Sequence, residues 1–272
     1  MAKAAVIQLV SQDVIEHNLT RVNYLLSQMS QDEVVSLVVL PENVAFMGAN
    51  DQDKLKFAET FGAGPIQESL ATMAKKYHCW IVAGTIPLRG VSPHHVRAAS
   101  LVFDDNGECV ARYDKIHLFD VRVSEEERHE ESATIEPGHE VVVVDTPVGR
   151  LGLSVCYDLR FPELYRQLVL QGAELFAVPA AFTATTGLAH WEVLLRARAI
   201  ENLCYVLAPN QAGIHPRGRH TYGHSMIIEP WGNILGRLDQ GEGFLTAEID
   251  LHRLQDQRRH FPCNDHHLLG HI

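Results

Sequence analysis

Gly149-Arg150-Leu151-Gly152-Leu153-Ser154-Val155-Cys156-Tyr157-Asp158-Leu159-Arg160-Phe161-Pro162-Glu163 reads as an apolar strand that turns into a helix, with a cysteine at the junction. Pro162 suits the first helical position, Leu164, Leu168 and Val169 continue at helical spacing, and Gly172 stops the helix. Unpaired backbone N–H groups at a helix start favour negative charge, so a thiol held there is expected to ionise more easily than in water. The same donors suit an oxyanion on a carbonyl group. A small buried apolar cysteine is the commoner fate of an isolated one, and position alone does not choose between the two.

Two further segments weigh on that choice. Val34-Val35-Ser36-Leu37-Val38-Val39-Leu40 is an almost unbroken apolar run, expected to be a strand covered on both faces. It ends in Pro41-Glu42-Asn43, which sets a carboxylate at the C-terminal edge where sites of α/β sheets assemble. Val110-Ala111-Arg112-Tyr113-Asp114 is strand-like and leads into Lys115-Ile116-His117-Leu118-Phe119-Asp120. Alone, Glu42 reads as a loop charge and Lys115 as a solubility residue. Three strand ends that deliver Glu, Lys and Cys make a constellation, and the bland reading must then hold three times over.

The remaining pattern alternates strands and helices. A strand over Ala4–Val10 precedes a helix that Asp13 and Glu16 are expected to open as a capping box, with Ile15, Leu19, Val22, Leu25, Leu26 and Met29 on its apolar stripe. Gly64-Pro65 opens another helix, with Ile66, Leu70, Met73, Ala74 and Tyr77 on one face. Trp80–Thr85, Ala99–Phe103 and Cys109–Tyr113 read as strands, the last two joined by an Asp104-Asp105-Asn106-Gly107 turn. Val141–Val144, Leu175–Pro179, Tyr205–Ala208, Met226–Ile228 and Phe244–Ile249 supply more. Helix Leu188–Asn202 carries one stripe of Trp191, Leu194 and Leu195 and a second of Val193, Ala197 and Ile200, more apolar surface than one buried face needs. Alternation by itself suggests a three-layer α/β fold.

Composition narrows the function classes. An apolar content of 46% over 272 residues supports a large core, and with no linker or repeat a single domain over 1–272 is expected. A net charge of −11 argues against nucleic acid or an anionic membrane as the main partner. The N-terminal apolar run is too short for a secretory signal, and no stretch approaches the roughly 18 apolar residues of a membrane span. Five cysteines without a CxxC pair favour free thiols in a reducing, cytoplasmic setting. Cys79, Cys109 and Cys204, in or beside apolar strands, are expected to pack the core. The 16 histidines include His266-His267 and His271 near the C-terminus, but no HExxH motif accompanies them, so no zinc site is expected. His117 is a partner for Cys156 only if the fold allows it.

Pro41-Glu42-Asn43, Asp114-Lys115-Ile116-His117-Leu118 and Cys156-Tyr157-Asp158-Leu159-Arg160 resemble, in order, the three signature segments of the nitrilase (carbon–nitrogen hydrolase) superfamily. The resemblance runs from the Ala5-Val6-Ile7-Gln8-Leu9 strand to Pro230-Trp231-Gly232. Ala180-Ala181-Phe182-Thr183, the His190–Asn202 run and Thr221-Tyr222-Gly223-His224-Ser225-Met226 are most similar to the deaminated-glutathione amidase branch. It implies an α/β fold of four layers, an αββα sandwich with two central sheets. It also implies Cys156 as nucleophile, Glu42 as general base and Lys115 as oxyanion-stabilising cation, beside the backbone N–H of Tyr157. A second glutamate aligns with Glu131, in a run so acidic (Glu125, Glu126, Glu127, Glu130) that composition reads it as a solvated loop. No metal or organic cofactor is implied.

The substrate implied is a small acidic linear amide, deaminated glutathione above all, cleaved to 2-oxoglutarate and cysteinylglycine. Arg160, Phe182 and Thr183 are the expected substrate-binding residues, with Arg217 and Arg219 as weaker candidates. Pairing of subunits through helical layers makes helix Leu188–Asn202 a candidate interface of a homodimer. Two rival readings stay open: an ω-amidase acting on 2-oxoglutaramate, and a non-catalytic scaffold that binds a partner through the acidic Glu125–Glu131 loop.

Overall fold

The computed structural model of the chain describes residues 2–123, 125, 128–266 and 268. The chain enters through β1 (Ala2–Gln8), β2 (Leu37–Val39) and β3 (Trp80–Val82), then folds back through β4 (Ile86–Arg89), β5 (Val96–Phe103) and β6 (Cys109–Asp114). A small hairpin follows, β7 (Asp120–Arg122) with β8 (Arg128–Glu130). A second sheet is then built from β9 (Val143–Thr146), β10 (Gly149–Leu153), β11 (Leu175–Ala177) and β12 (Tyr205–Ala208). After a hairpin of β13 (Ala212–Ile214) and β14 (His220–Tyr222), β15 (Met226–Ile228) and β16 (Ile234–Arg237) complete it. Finally β17 (Gly243–Ile249) returns to the first sheet.

The first sheet has the order β17-β1-β2-β3-β5-β4, with β6 along the other side of β5; the second runs β16-β15-β12-β11-β10-β9. At the centre of each, three strands are parallel: β1, β2 and β3 in one, β10, β11 and β12 in the other. Parallel neighbours need helical crossovers. Helices α1 (Ile15–Asp32) and α2 (Pro65–Tyr77) serve the first sheet; α3 (Pro162–Leu170) and α4 (Ala184–Asn202) serve the second, and α5 (Leu251–His260) closes the chain.

The strands are apolar on both faces because both faces are covered. In β1 and β2, Ala4, Val6, Leu37 and Val39 join the core shared with the second sheet, while Ala5, Ile7 and Val38 join the core under α1 and α2. On the far side, Tyr165 of α3 meets Phe176 of β11 edge-on at 5.0 Å. Two sheets back to back, each with its own helical layer, give the four-layer αββα sandwich in place of three layers.

Several expectations need correction. Val34 is 89% exposed, and only Leu37–Val39 of its apolar run forms a ladder. Asp13 and Glu16 do not cap α1: its N-cap is Val14, without a side-chain hydrogen bond. Buried Asn18 holds that entry instead, exchanging hydrogen bonds with the Gln12 backbone and donating to Ala45 O at 2.9 Å. Cys109 is exposed on the outer strand β6, whereas Cys79 and Cys204 are buried as expected. The Val141–Val144 strand lies two residues further on, and α4 begins at Ala184, where Thr183 Oγ1 accepts from Thr186 N. Glu126, Glu127, His267 and His271 lie outside the described residues.

Candidate active site

The ends of β2, β6 and β10 bring Glu42, Lys115 and Cys156 to one edge of the paired sheets, all three buried. The loop that carries Glu42 is seated by a glycine. Gly84 has φ +63°, and a Cβ there would stand 1.9 Å from Pro41 O, so only glycine lets the two backbones approach. Gly138 lies as close to Asp114 O and donates to Lys115 O at 2.8 Å, which fixes the lysine's backbone. Cys156 has φ +50°, an uncommon conformation for a cysteine, and its N–H donates to Pro179 O at 2.8 Å. The turn Cys156–Arg160 is a 3-10 helix; α3 starts only at Pro162.

Lys115 Nζ stands 2.8 Å from Glu42 Oε1 and donates to both Glu131 oxygens at 2.9 and 2.8 Å. The second Glu42 oxygen accepts from Ala181 N at 2.9 Å, and Glu131 Oε2 from Phe119 N at 2.6 Å. Glu131 is therefore no solvated loop charge. The Cys156 thiol lies beside the Glu42 carboxylate and feels its charge. Every polar atom of the lysine–glutamate pair is thus used, the condition under which a buried ion pair is tolerated.

The thiol's charge state is the reverse of the expectation drawn from a helix start. Burial, and then the Glu42 charge beside it, push the Cys156 thiol well above its ordinary value; Lys115 offsets only part of this. Burial also opposes charge on Glu42, but the Lys115 ammonium and the hydrogen bonds around it hold the carboxyl below the usual range. Lys115, despite its own burial, is held well above the usual lysine range by Glu131 and Glu42. The resting site is a neutral thiol beside an ionised carboxylate and an ammonium.

One carboxylate braces this geometry across the two sheets. Asp158, fully buried, accepts through Oδ2 from Tyr113 Oη at 2.7 Å and Val155 N at 2.8 Å. Its Oδ1 accepts from His117 N at 3.0 Å and lies 2.7 Å from His117 Nδ1. Tyr113 and His117 flank Lys115, and Val155 precedes Cys156, so Asp158 ties the lysine's segment to the Cys156 turn. His117 therefore pairs with Asp158 and stacks on Phe161 at 3.7 Å rather than serving Cys156.

Above Cys156 opens a cleft. Tyr157, Arg160, Phe182, Thr183 and Arg219 line it, whereas Arg217 lines an adjoining hollow. Arg160 sits over the Tyr157 and Phe182 rings at 5.7 and 5.4 Å. The cleft also holds Asp51, Lys54, Phe119 and His129, which sequence reading did not single out. Lys54 lies in a run of alternating charges that reads as solvated; Asp158 sits inside the signature segment, yet its partners come from a distant strand. Among the described residues, no three His, Cys, Asp or Glu side chains group closely enough to hold a metal ion.

The chain matches the carbon-nitrogen hydrolase family model over residues 3–259. It belongs to that family. Among relatives of this carbon-nitrogen hydrolase, a deaminated glutathione amidase of Yersinia enterocolitica is 44% identical over 267 residues, 97% of this chain and 92% of that one. The crystal structure of the C. elegans NitFhit protein aligns with a TM-score of 0.91 at 38% identity, over 98% of this chain and 66% of that longer one. That of Saccharomyces cerevisiae Nit3, a member of branch 10 of the nitrilase superfamily, gives 0.86 at 30% identity, over 96% and 94%. This carbon-nitrogen hydrolase acts on carbon–nitrogen bonds other than peptide bonds. No helix of the described residues is long and apolar enough to cross a membrane.

Proposed function

We propose that this hydrolase cleaves the amide of deaminated glutathione, giving 2-oxoglutarate and cysteinylglycine through a thioester on Cys156. The observation that supports the mechanism is the Lys115 ammonium held between Glu42 and Glu131, with the buried Cys156 thiol beside the Glu42 charge. A neutral thiol is a weak nucleophile, so its proton must leave as the sulfur attacks. Glu42, kept ionised by Lys115, accepts that proton while Sγ bonds to the amide carbon. The oxyanion that forms faces Lys115 Nζ and the Tyr157 N–H; one such donor is worth about 10²–10³ in rate. Glu42 then protonates the departing nitrogen as the C–N bond breaks, which leaves the thioester. Glu42 deprotonates a water that attacks the thioester carbon. Collapse of the second oxyanion expels the thiolate, which takes the proton back. Glu131 holds Lys115 in line throughout.

The substrate assignment rests on relatives named deaminated glutathione amidase and on the cations Lys54, Arg160 and Arg219 around the cleft, which suit a substrate with two carboxylates. Arg160, with Phe182 and Thr183, is assigned to the acyl half. Five free cysteines support a cytoplasmic setting, and the core shared by the two sheets supports reading residues 1–272 as a single domain. Val193 (69% exposed), Ile200, Trp231 and Phe261 form an exposed apolar patch along α4, which supports a homodimer.

The test is product formation from deaminated glutathione, 2-oxoglutaramate and a simple nitrile by wild type and Cys156→Ala. Release of cysteinylglycine that vanishes in the variant is the expected result. Preference for 2-oxoglutaramate would make the protein an ω-amidase. Equal activity of the variant would overturn the catalytic assignment, and no hydrolysis by either would favour a binding scaffold.

A further inference from the structure

The nucleophile's cleft does not end at the catalytic side chains. It shares Asp51, His129, Thr183 and Arg219 with a second, more open hollow, whose far wall is the loop between β13 and β14. That loop and the first residue of β14 bring Arg217, Arg219 and His220 to the hollow. We infer that this outer hollow is the subsite for the leaving half of the substrate, and that Arg219 receives the carboxylate at the C-terminus of a peptide-like amine. The inference rests on the amidase reading above and extends it from the acyl half to the amine half.

The loop is built to hold its cations still. Buried His215 pins its root, with Nδ1 2.7 Å from Ser11 O and Nε2 2.7 Å from Thr221 Oγ1. Burial pushes His215 down to about 4, so this peg carries no charge at neutral pH. His215 N donates to Arg219 O and Gly218 N to His215 O, closing a tight turn. Arg217 occupies φ +60°, a strained conformation for an arginine, and its Nη1 donates to Asn50 Oδ1 at 2.6 Å. Arg217 is thus spoken for.

Arg219 is not. It sits where the two hollows meet, its nearest carboxylate oxygen, on Asp51, is 4.0 Å away, and its Nε is buried with no hydrogen-bond partner. A buried donor without a partner calls for an explanation. A ligand carboxylate, taken in the two-pronged geometry guanidinium groups favour, supplies one. Lys115 cannot serve, since its ammonium is committed to Glu42 and Glu131 at the reacting centre. An extended dipeptide carries its carboxylate about 7 Å from the scissile nitrogen, a reach that needs a receptor away from that centre.

Deaminated glutathione and 2-oxoglutaramate share the acyl half and differ only in the amine, so the pair isolates this subsite. Arg219→Gln should raise KM for deaminated glutathione by about tenfold to a hundredfold, the loss expected of one charged hydrogen-bonded contact. The same variant should lower kcat/KM for 2-oxoglutaramate far less than for deaminated glutathione, and Arg219→Lys should recover part of the loss. With wild type, amidating the glycine carboxylate of deaminated glutathione should cost as much as the Gln substitution. Cysteinylglycine should bind Cys156→Ala in calorimetry and fail to bind the Cys156→Ala/Arg219→Gln double variant, which reads the site without turnover. Equal losses on both substrates, or an amidated substrate cleaved as well as the acid, would refute the subsite while leaving the amidase reading intact. Wild type that hydrolyses 2-oxoglutaramate alone and does not bind cysteinylglycine would overturn both.

Discussion

Replacing Asp158 by asparagine removes a charge and almost no volume, and the structure says what that should cost. The carboxylate faces four groups: Tyr113 Oη and Val155 N on one oxygen, His117 N and Nδ1 on the other. Asparagine keeps one acceptor oxygen. However the amide is turned, its NH₂ meets either the Val155 or the His117 backbone N–H, and a backbone donor cannot reverse its role. One orphaned buried donor costs about 2 kcal/mol, and the two bonds that survive each lose about 1 kcal/mol with the charge. The sum is about 4 kcal/mol, or roughly 8–16 °C in melting temperature for a domain of this size. Because the brace links the segments that carry Lys115 and Cys156, kcat should also fall, by about a hundredfold. Urea unfolding with steady-state kinetics measures both. Tyr113→Phe, which removes one partner and leaves the carboxylate ionised, should cost about 1 kcal/mol. An asparagine variant within about 0.5 kcal/mol of wild type, with normal kcat, would refute the reasoning.

Gly84→Ala forces a Cβ to within 1.9 Å of Pro41 O at a left-handed φ, so the loop before Glu42 must shift; we expect kcat to fall at least tenfold, and unchanged kinetics would exclude the seating role. Glu42, with its pKa below the carboxylate value of 4.5, adds stability that is full above pH 4.5 and lost as acidification passes its lower folded value. Lys115, raised above 10.5, adds stability that is full below that pH and lost as pH rises through its folded value, so the contribution of this pair to the urea midpoint should be flat between the two, and a break attributable to it near pH 6 would contradict both directions. Alkylation of Cys156 by iodoacetamide in the resting enzyme should still be rising beyond pH 9, whereas a plateau at neutral pH would mean a preformed thiolate. On α4, Val193→Arg should convert a dimer to a monomer in light scattering; a wild-type monomer would rule out that interface.

The sequence-level signals that survived are those in which one segment suffices. Apolar runs mark β1, β10, β12 and β15, and the strand ends mark Glu42, Lys115 and Cys156, which the structure unites. Glu131 was legible only through family resemblance, because its role depends on Lys115 from another element. What could not be read depends on pairs distant in the chain. The brace from Asp158 to Tyr113 and His117 crosses between sheets, and the thiol's shift reflects its burial and then Glu42, which arrives from the opposite sheet. The capping-box spacing misled because Asn18 can reach both the entering chain and Ala45, a contact no local pattern encodes.

A thiol that rests protonated has consequences outside its own reaction. Peroxides and electrophilic metabolites attack the thiolate far faster than the thiol, and oxidation beyond the sulfenic stage is irreversible without dedicated repair. Cysteine enzymes with a standing thiolate live with that exposure. Here the sulfur is buried, and burial with the Glu42 charge beside it favours the protonated form. Slow loss of activity in hydrogen peroxide at neutral pH is the outcome this arrangement predicts for the resting enzyme.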